Sequence, residues 1–579
     1  MAQLPALPEK LARRVVELWL REPMPESIRA LATNAQLRAL TIPQLEKLLN
    51  ADSPHLREAA IAFFVRQPAL AHIHARALSE RLGDEDRDVR DATHALIKAQ
   101  PSLLDLPVEA LADWLQSERW TIRLGAVWAA DLNPKLARHH VRDLSERLGD
   151  SDWRVRDAAQ ALFKVQPELL DLPTATLAVW LQSDDEAKRL GAIWAADFDP
   201  KLARAHARNL SELLGNDAWN VSNAARTLFK AQPELLNLPT ATLTDWLQSE
   251  NGAKRLGLVW TANLDPKLAR LYARGLSELL GDKDRRVRDP AYALFKAQPD
   301  LLDLPPETLA AWLQNKHKEK RLGAVRSANL NPKLARAHAR TLSKLLGDAD
   351  SDVRDAAHDL FKAQPELLDL PGEALADWVK SRESWQSAKR LGAAWVADLD
   401  PALARAYARD LSEWLGDEDR NVRGAAYTLF KAKPGLLNLP AETLAAWLQS
   451  ENRWKRLAAV QVADLDPELA HAHTHALSER LGDKRSEVQD AAYALFEAHP
   501  RLLNLPPETL AAWLQSKDVA KRLGAVRAAT LDPQLARAHA LSKWLDDENS
   551  AMDEVALRSV RDPSRVARSI PRGLGFAIV

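Results

Sequence analysis

The sequence predicts an all-α solenoid of about sixteen stacked helix pairs, built from short units repeated in register. Three observations carry that reading. First, residues 144–209 return as near-copies beginning at Leu78, Leu210, Leu276, Leu342, Leu411 and Leu477, with a truncated copy at Leu541. The period is 66 residues, stretched once to 69 by extra residues around 384–387. Second, each copy divides into related halves of 33, which set Leu144 on Leu177, Arg156 on Arg189, Ala159 on Ala192 and Pro167 on Pro200. Third, prolines recur in step at Pro101, Pro167, Pro233, Pro299, Pro365, Pro434 and Pro500. They recur again at Pro134, Pro200, Pro266, Pro332, Pro401, Pro467 and Pro533. Proline lacks the helical N–H donor and clashes with the preceding turn, so each one marks a helix boundary. A unit this short cannot bury its apolar face alone, and stacking supplies the core.

The elements follow in order. Residues 1–44 match the repeat poorly and read as a helical N-terminal cap with a polar outer face, which an open solenoid needs. The half-repeat becomes legible at Leu45, because Leu45, Leu48 and Arg57 stand 66 residues before Leu111, Trp114 and Arg123. Ser53-Pro54 reads as an N-cap followed by proline at the first helical position. Residues 45–540 are the solenoid, each half two antiparallel helices. In one half Pro200 opens a first helix that Gly215 ends, and a second follows to Pro233. In the other, LPTATLAVWLQS is the first helix and AKRLGAIWAADFD the second. Residues 541–579 are a degenerate repeat with an arginine-rich tail.

Composition narrows the function. The 579 residues carry 79 Lys and Arg against 80 Asp and Glu, a formal charge of −1, which argues against a dedicated polyanion binder. There is no cysteine, so thiolate metal sites, disulfides and Cys nucleophiles are excluded. The charged N-terminus does not read as a secretory signal, and the expectation is a cytoplasmic protein.

The stretch GDEDRDVRDATHAL, with its parallels in every copy, resembles the HEAT-repeat signature of a turn Asp, then Val-Arg and a later Ala and Leu. It is also similar to the shorter HEAT-like repeats of phycobiliprotein lyases. The resemblance covers roughly 45–541 and implies a right-handed superhelix whose second helices line a concave surface. It further implies an Asp–Arg ladder between units, carried by Asp84, Arg90, Asp150, Arg156, Asp282, Arg288, Asp348, Arg354, Asp417 and Arg423. Asn216 and Ser222 break the pattern in one copy and Gln489 in another, so a weaker ladder is expected at both.

Helical phase locates the working face. Stepping about 100° per residue from the repeated Arg, Val155, Ala159, Leu162 and Phe163 fall on one side and stay apolar in all copies. The opposite side varies. Four residues after the Arg stand His94, Gln160, Arg226, Tyr292, His358, Tyr427 and Tyr493. Five after it, in the other half, stand Trp128, Trp194, Trp260, Arg326, Trp395, Gln461 and Arg527. A sealed slot would not exchange Trp for Arg or Gln without leaving a polar group unpaired, so the column is expected to be at least partly exposed. Rows of Lys98, Lys164, Lys230 and Lys296, and of Asp131 and Asp197, flank these columns. Trp153 and Trp219 vary within the turns and are rim candidates. The wheel also puts Leu124 and its copies outward, or packed laterally between units. The unvarying Trp180 column reads as packing.

No GxxxxGK[ST], GxGxxG, HExxH or GxSxG occurs. His471 and His475 stand at i and i+4, a zinc spacing, but no third ligand accompanies them, and no metal or cofactor is expected. The function expected is therefore a non-enzymatic scaffold that grips a protein or extended peptide. The alternative is nucleic-acid binding through the Lys and aromatic columns and the basic tail. An enzyme similar to HEAT-like lyases or glycosylases finds no catalytic residue here.

Overall fold

The computed structural model describes residues 8–21, 31, 32, 34–381, 383 and 386–532. Among them every element is an α-helix or a 3₁₀ turn. Two compact units form, one of residues up to Leu279 with Asp284–Asp303, the other of Leu280–Lys283 with residues from Leu304 onward. Each is the all-α solenoid that the period implies. The tail expected at 541–579 lies outside the described residues.

The second helices are thirteen residues long throughout. They are α1 (Pro54–Arg66), α2 (Arg87–Ala99), α3 (Trp120–Leu132), α4 (Trp153–Val165), α5 (Glu186–Phe198), α6 (Trp219–Ala231), α7 (Gly252–Leu264) and α8 (Arg285–Ala297). There follow α9 (Lys318–Leu330), α10 (Ser351–Ala363), α11 (Ser387–Leu399), α12 (Arg420–Ala432), α13 (Arg453–Leu465), α14 (Ser486–Ala498) and α15 (Val519–Leu531). Within each unit every second helix packs on the next. Their boundaries are local chemistry. Asp86 accepts the N–H groups of Asp88 and Val89 to start α2. At the other end Gln100 leaves the helical region at φ −138°, and Pro101 opens the 3₁₀ turn Pro101–Leu103.

The first helices differ between halves. Thr174–Leu181 is continuous, as read. The helix expected from Pro200 to Gly215 is instead Pro200–Ala205, Ala207–Glu212 and a 3₁₀ turn Leu213–Gly215. The break falls on His206 at φ −119°, ψ 19°. The buried Nε2 of His206, His338 and His473 has no hydrogen-bond partner among the described residues. In two copies, by contrast, the residue at the break reaches back, His140 Nε2 lying 2.9 Å from the Val108 carbonyl and the Tyr272 hydroxyl donating to the Thr240 carbonyl at 2.8 Å. Turning out of the helix lets either ring reach back to the first helix of the preceding half. Tyrosine can therefore stand in for histidine.

The expected core is sealed, with Val155, Ala159, Leu162 and Phe163 fully enclosed. A buried serine column pins the loops: Ser145 Oγ donates to Val141 O at 2.7 Å and accepts the Asp171 N–H at 2.9 Å. Leu124 corrects the wheel, being only 4% exposed. Its neighbour Gly125 presses on the 3₁₀ turn Arg81–Gly83, where an added Cβ would stand 2.7 Å from the Leu82 carbonyl. A second-half helix is thus covered on a side that a lone amphipathic helix would leave open. The Trp180 column packs as read, its indole against Gly149.

The ladder exists but with different partners. Arg123 donates to both carboxylate oxygens of Asp150 at 2.7 Å, and Arg321 to those of Asp348 at 2.6 and 2.8 Å. Arg57–Asp84, Arg390–Asp417 and Arg456–Asp483 repeat the bridge. The arginines expected to carry it turn inward instead: Arg90 donates to the carbonyls of Asp84 and Glu85, and Arg156 to those of Asp150 and Ser151. The reason is register. Bridge partners stand 27 residues apart, and 27 beyond Arg90 is Ser117. Bridged and unbridged interfaces therefore alternate, except where Asn216 leaves Arg189 without an acid. The rung beside Gln489 is not weakened, since Arg456 still meets Asp483 at 2.6 Å while Gln489 donates to the Ala520 carbonyl.

Candidate interaction face

The two variable columns meet each other. His94 stacks on Trp128 with ring centroids 4.4 Å apart and planes 18° from parallel, and His358 stacks on Trp395 at 4.4 Å and 14°. The Arg226 guanidinium lies 5.2 Å over the Trp260 ring, and that of Arg527 5.5 Å over Tyr493. Partners sit one helix apart, 34 residues in sequence (37 across the longer repeat). Each platform thus joins a planar first-half residue to a planar second-half one. The repeat held this signal: at every register one member is aromatic, whichever column supplies it.

Exposure follows the expectation for most of these residues. His94, Trp128, Trp194, Arg226, Tyr292, Arg326, His358, Trp395, Tyr427 and Tyr493 are half-buried, and Lys98, Lys164, Lys230 and Lys296 are exposed. Trp260 is the correction. It is 4% exposed, because Arg226 covers one side and Trp219 leans on it at 5.7 Å and 59°. Trp153 and Trp219 are 56% and 53% exposed, each the first residue of its helix.

Charge on this face is balanced locally. Burial lifts the Asp197 carboxyl above its ordinary range despite the nearby Lys164. Burial pushes the His94 and His358 imidazoles below theirs; Lys98 adds to the effect at His94 and Lys362 at His358. The Tyr427 hydroxyl is pushed up by burial and then by Asp464.

One arrangement escaped the sequence reading. Arg90 lies 4.9 Å over Trp120, Arg154 lies 4.3 Å over the same ring, and Arg154 lies 5.0 Å over Trp153. Arginine and indole thus interleave across the starts of α2, α3 and α4, where an unbridged Arg90 finds a π-face in place of an acid.

His471 and His475 do not share a helix. Pro467–His471 ends at the first and Thr474–Ser478 holds the second, so the i, i+4 argument loses its continuous turn. Among the described residues no three His, Cys, Asp or Glu side chains gather as a metal site, and no helix is long and apolar enough to cross a membrane.

No family model and no curated protein matches the sequence. Solved structures that it resembles include Kap121p bound to Nup53p (13% identity, TM-score 0.46, covering 93% of this chain and 70% of that one). Importin beta in a polyethylene glycol condition gives 11%, 0.44, 97% and 90%. Yeast importin-beta (Kap95p) gives 12%, 0.38, 95% and 89%. All these scores lie below 0.5.

Proposed function

We propose that this protein is a non-enzymatic scaffold that holds a protein or extended peptide along the face of its second helices, the concave one by the HEAT resemblance. The observation that supports this is the row of half-buried planar pairs, His94–Trp128 and His358–Trp395 among them, flanked by exposed lysines. Rigid planar groups rimmed by charge offer contact area at low entropic cost. Nucleic-acid binding fits less well, because aspartates such as Asp197 share the lysine row.

Photo-crosslinkers at Lys98 and Lys164, compared with first-helix positions Glu109 and Glu307, test the reading in native-host extract. Protein adducts are expected from the lysine positions alone, and Trp128→Ala with Trp194→Ala should abolish them. Those two changes should cost only about 1–2 kcal/mol of stability, since both rings are half-buried. Trp260 is unsuitable for this test, as its enclosed ring would unsettle the core. Adducts to nucleic acid that fade steeply with salt would favour the alternative; equal labelling of both faces would end the proposal.

A further inference from the structure

The regular pattern of the second-helix face departs across α6, α7 and α8, and most of the departures there favour one sign of charge. Between α6, α7 and α8 lies a cleft of about 560 Å³. Trp260, Val259 and Pro290 line it with apolar surface, and Trp219 stands at its edge, more than half exposed. Arg226, Arg285 and Arg286 also line it; Arg285 pairs with Asp289 and Arg286 with Asp284, each at 2.9 Å, whereas Arg226 rests on an indole.

Three acids present elsewhere are absent here. Asn216 stands where Asp84, Asp150, Asp282, Asp348, Asp417 and Asp483 occupy the other copies. Asn223 stands where Asp91, Asp157, Asp289, Asp355 and Asp490 do. Asn263, itself in the cleft wall, replaces the aspartate of Asp131, Asp197, Asp398 and Asp464, a change shared in kind by Asn329 and Thr530. Each change keeps a similar shape and removes a negative charge, while Lys230 is retained. In the same copy Arg226 takes a register that elsewhere holds His, Gln or Tyr, and its guanidinium rests on Trp260 with no carboxylate in ion-pair range among the described residues.

Pro290 is the last departure. The other six copies have alanine at this register, inside the helix. Without an N–H, Pro290 cannot bond the Arg286 carbonyl four residues back, and both residues line the cleft. The cleft combines apolar surface at Trp219 and Pro290 with the guanidinium of Arg226.

We infer that this cleft seats an acidic linear segment of a protein partner, with a bulky apolar side chain against Trp219 and Pro290 and a flanking carboxylate on Arg226. The inference rests on the scaffold reading above and names the chemistry of one anchoring point within it. Arginine favours carboxylates through its planar fork of donors, and the missing aspartates remove the repulsion such a segment would otherwise meet.

The test uses the full chain and three short fluorescent peptides at about 0.15 M salt, where exposed charges are screened beyond roughly 8 Å. One peptide is Glu-Asp-Glu-Leu-Phe-Glu-Asp-Glu, the second has Lys for every acid, and the third has Ala-Ala for Leu-Phe. Anisotropy should show the first binding about tenfold or more tighter than either other, one decade of Kd. Arg226→Glu should weaken it by a similar factor, and Arg226→Gln by less, with thermal unfolding of both variants checking that the fold survives. Asn263→Asp should weaken it about threefold, a smaller step on the same scale. Equal binding of all three peptides, binding of none, or indifference to Arg226→Glu and Arg286→Glu would overturn the inference. The crosslinks from Lys98 and Lys164, outside the cleft, report separately. Their persistence alongside a silent cleft sinks this inference alone, whereas peptide binding without them sinks the wider reading.

Discussion

Arg123 and Arg189 occupy the same register in successive repeats of one unit, yet only the first has an acid to meet. Arg123 grips Asp150 through two hydrogen bonds, both partners nearly enclosed. Arg189 faces Asn216; it donates to the Ser183 carbonyl, and its buried Nε has no hydrogen-bond partner. The turn itself is unaffected, because Asn216 Oδ1 accepts the Ala218 N–H at 3.0 Å much as Asp150 accepts that of Asp152 at 2.9 Å. The aspartate of the repeat therefore has two roles. An amide keeps the turn and surrenders the bridge to the preceding half. The weakened ladder expected at Asn216 is real, for a reason that involves Arg189 and not Ser222.

The largest expected effect comes from imposing the broken state on the intact rung. Asp150→Ala leaves the guanidinium of Arg123 buried and unpaired, which should cost about 3–5 kcal/mol. Hydrogen exchange of the α4 amides reads this locally, and a loss under about 1 kcal/mol would show that the bridge is incidental. Next comes Gly191→Ala, where the new methyl would stand 2.5 Å from the Leu148 carbonyl. Overpacking of this kind should cost about 1–3 kcal/mol, and a neutral result would mean that α5 can simply slide.

Restoring the broken rung should have a smaller effect of opposite sign. Asn216→Asp supplies Arg189 with a carboxylate and should stabilise by about 1–2 kcal/mol, between the net worth of an ordinary hydrogen bond and that of one to a charged group. No gain would place the missing partner elsewhere.

The smallest effects are those of pH. Burial works to raise the Asp150 pKa, but hydrogen bonds from Arg123 and the Asp152 N–H, with the charges of Arg123 and Arg147, hold it below the usual carboxylate range; Asp483 is held down in the same manner. A depressed folded pKa gives stability that is present above the unfolded value of about 4 and lost as pH falls through the folded one. His94 and His358, lowered by burial, follow the same sign in a higher window, with stability declining once pH drops below about 6.5. Denaturation midpoints across pH should show both steps, and His94→Gln should shrink only the upper one.

Much of this was legible because it is local. The second helices, their closing prolines and the apolar Phe163 column follow from residues within a turn or two of each other, although the N-cap read at Ser53 makes no side-chain bond while aspartates such as Asp152 do. The site was legible as two separate columns but not as pairs. His94 and Trp128 are one helix apart, and nothing within either helix says that their rings stack. The break in the first helix was missed for a related reason: at His140 the carbonyl that its ring reaches belongs to Val108, 32 residues earlier.

From its sequence alone the chain determines a repeat, its helix boundaries and a core stripe, since backbone sterics, capping and hydrophobic phase act over a few residues. Tertiary packing decided which arginine meets which acid, why Trp260 is enclosed while Trp128 is half open, and why Leu124 is covered. Those outcomes depend on side chains 27 to 41 positions apart being brought within a few ångströms, and pairwise energies at that range exist only once the helices have stacked.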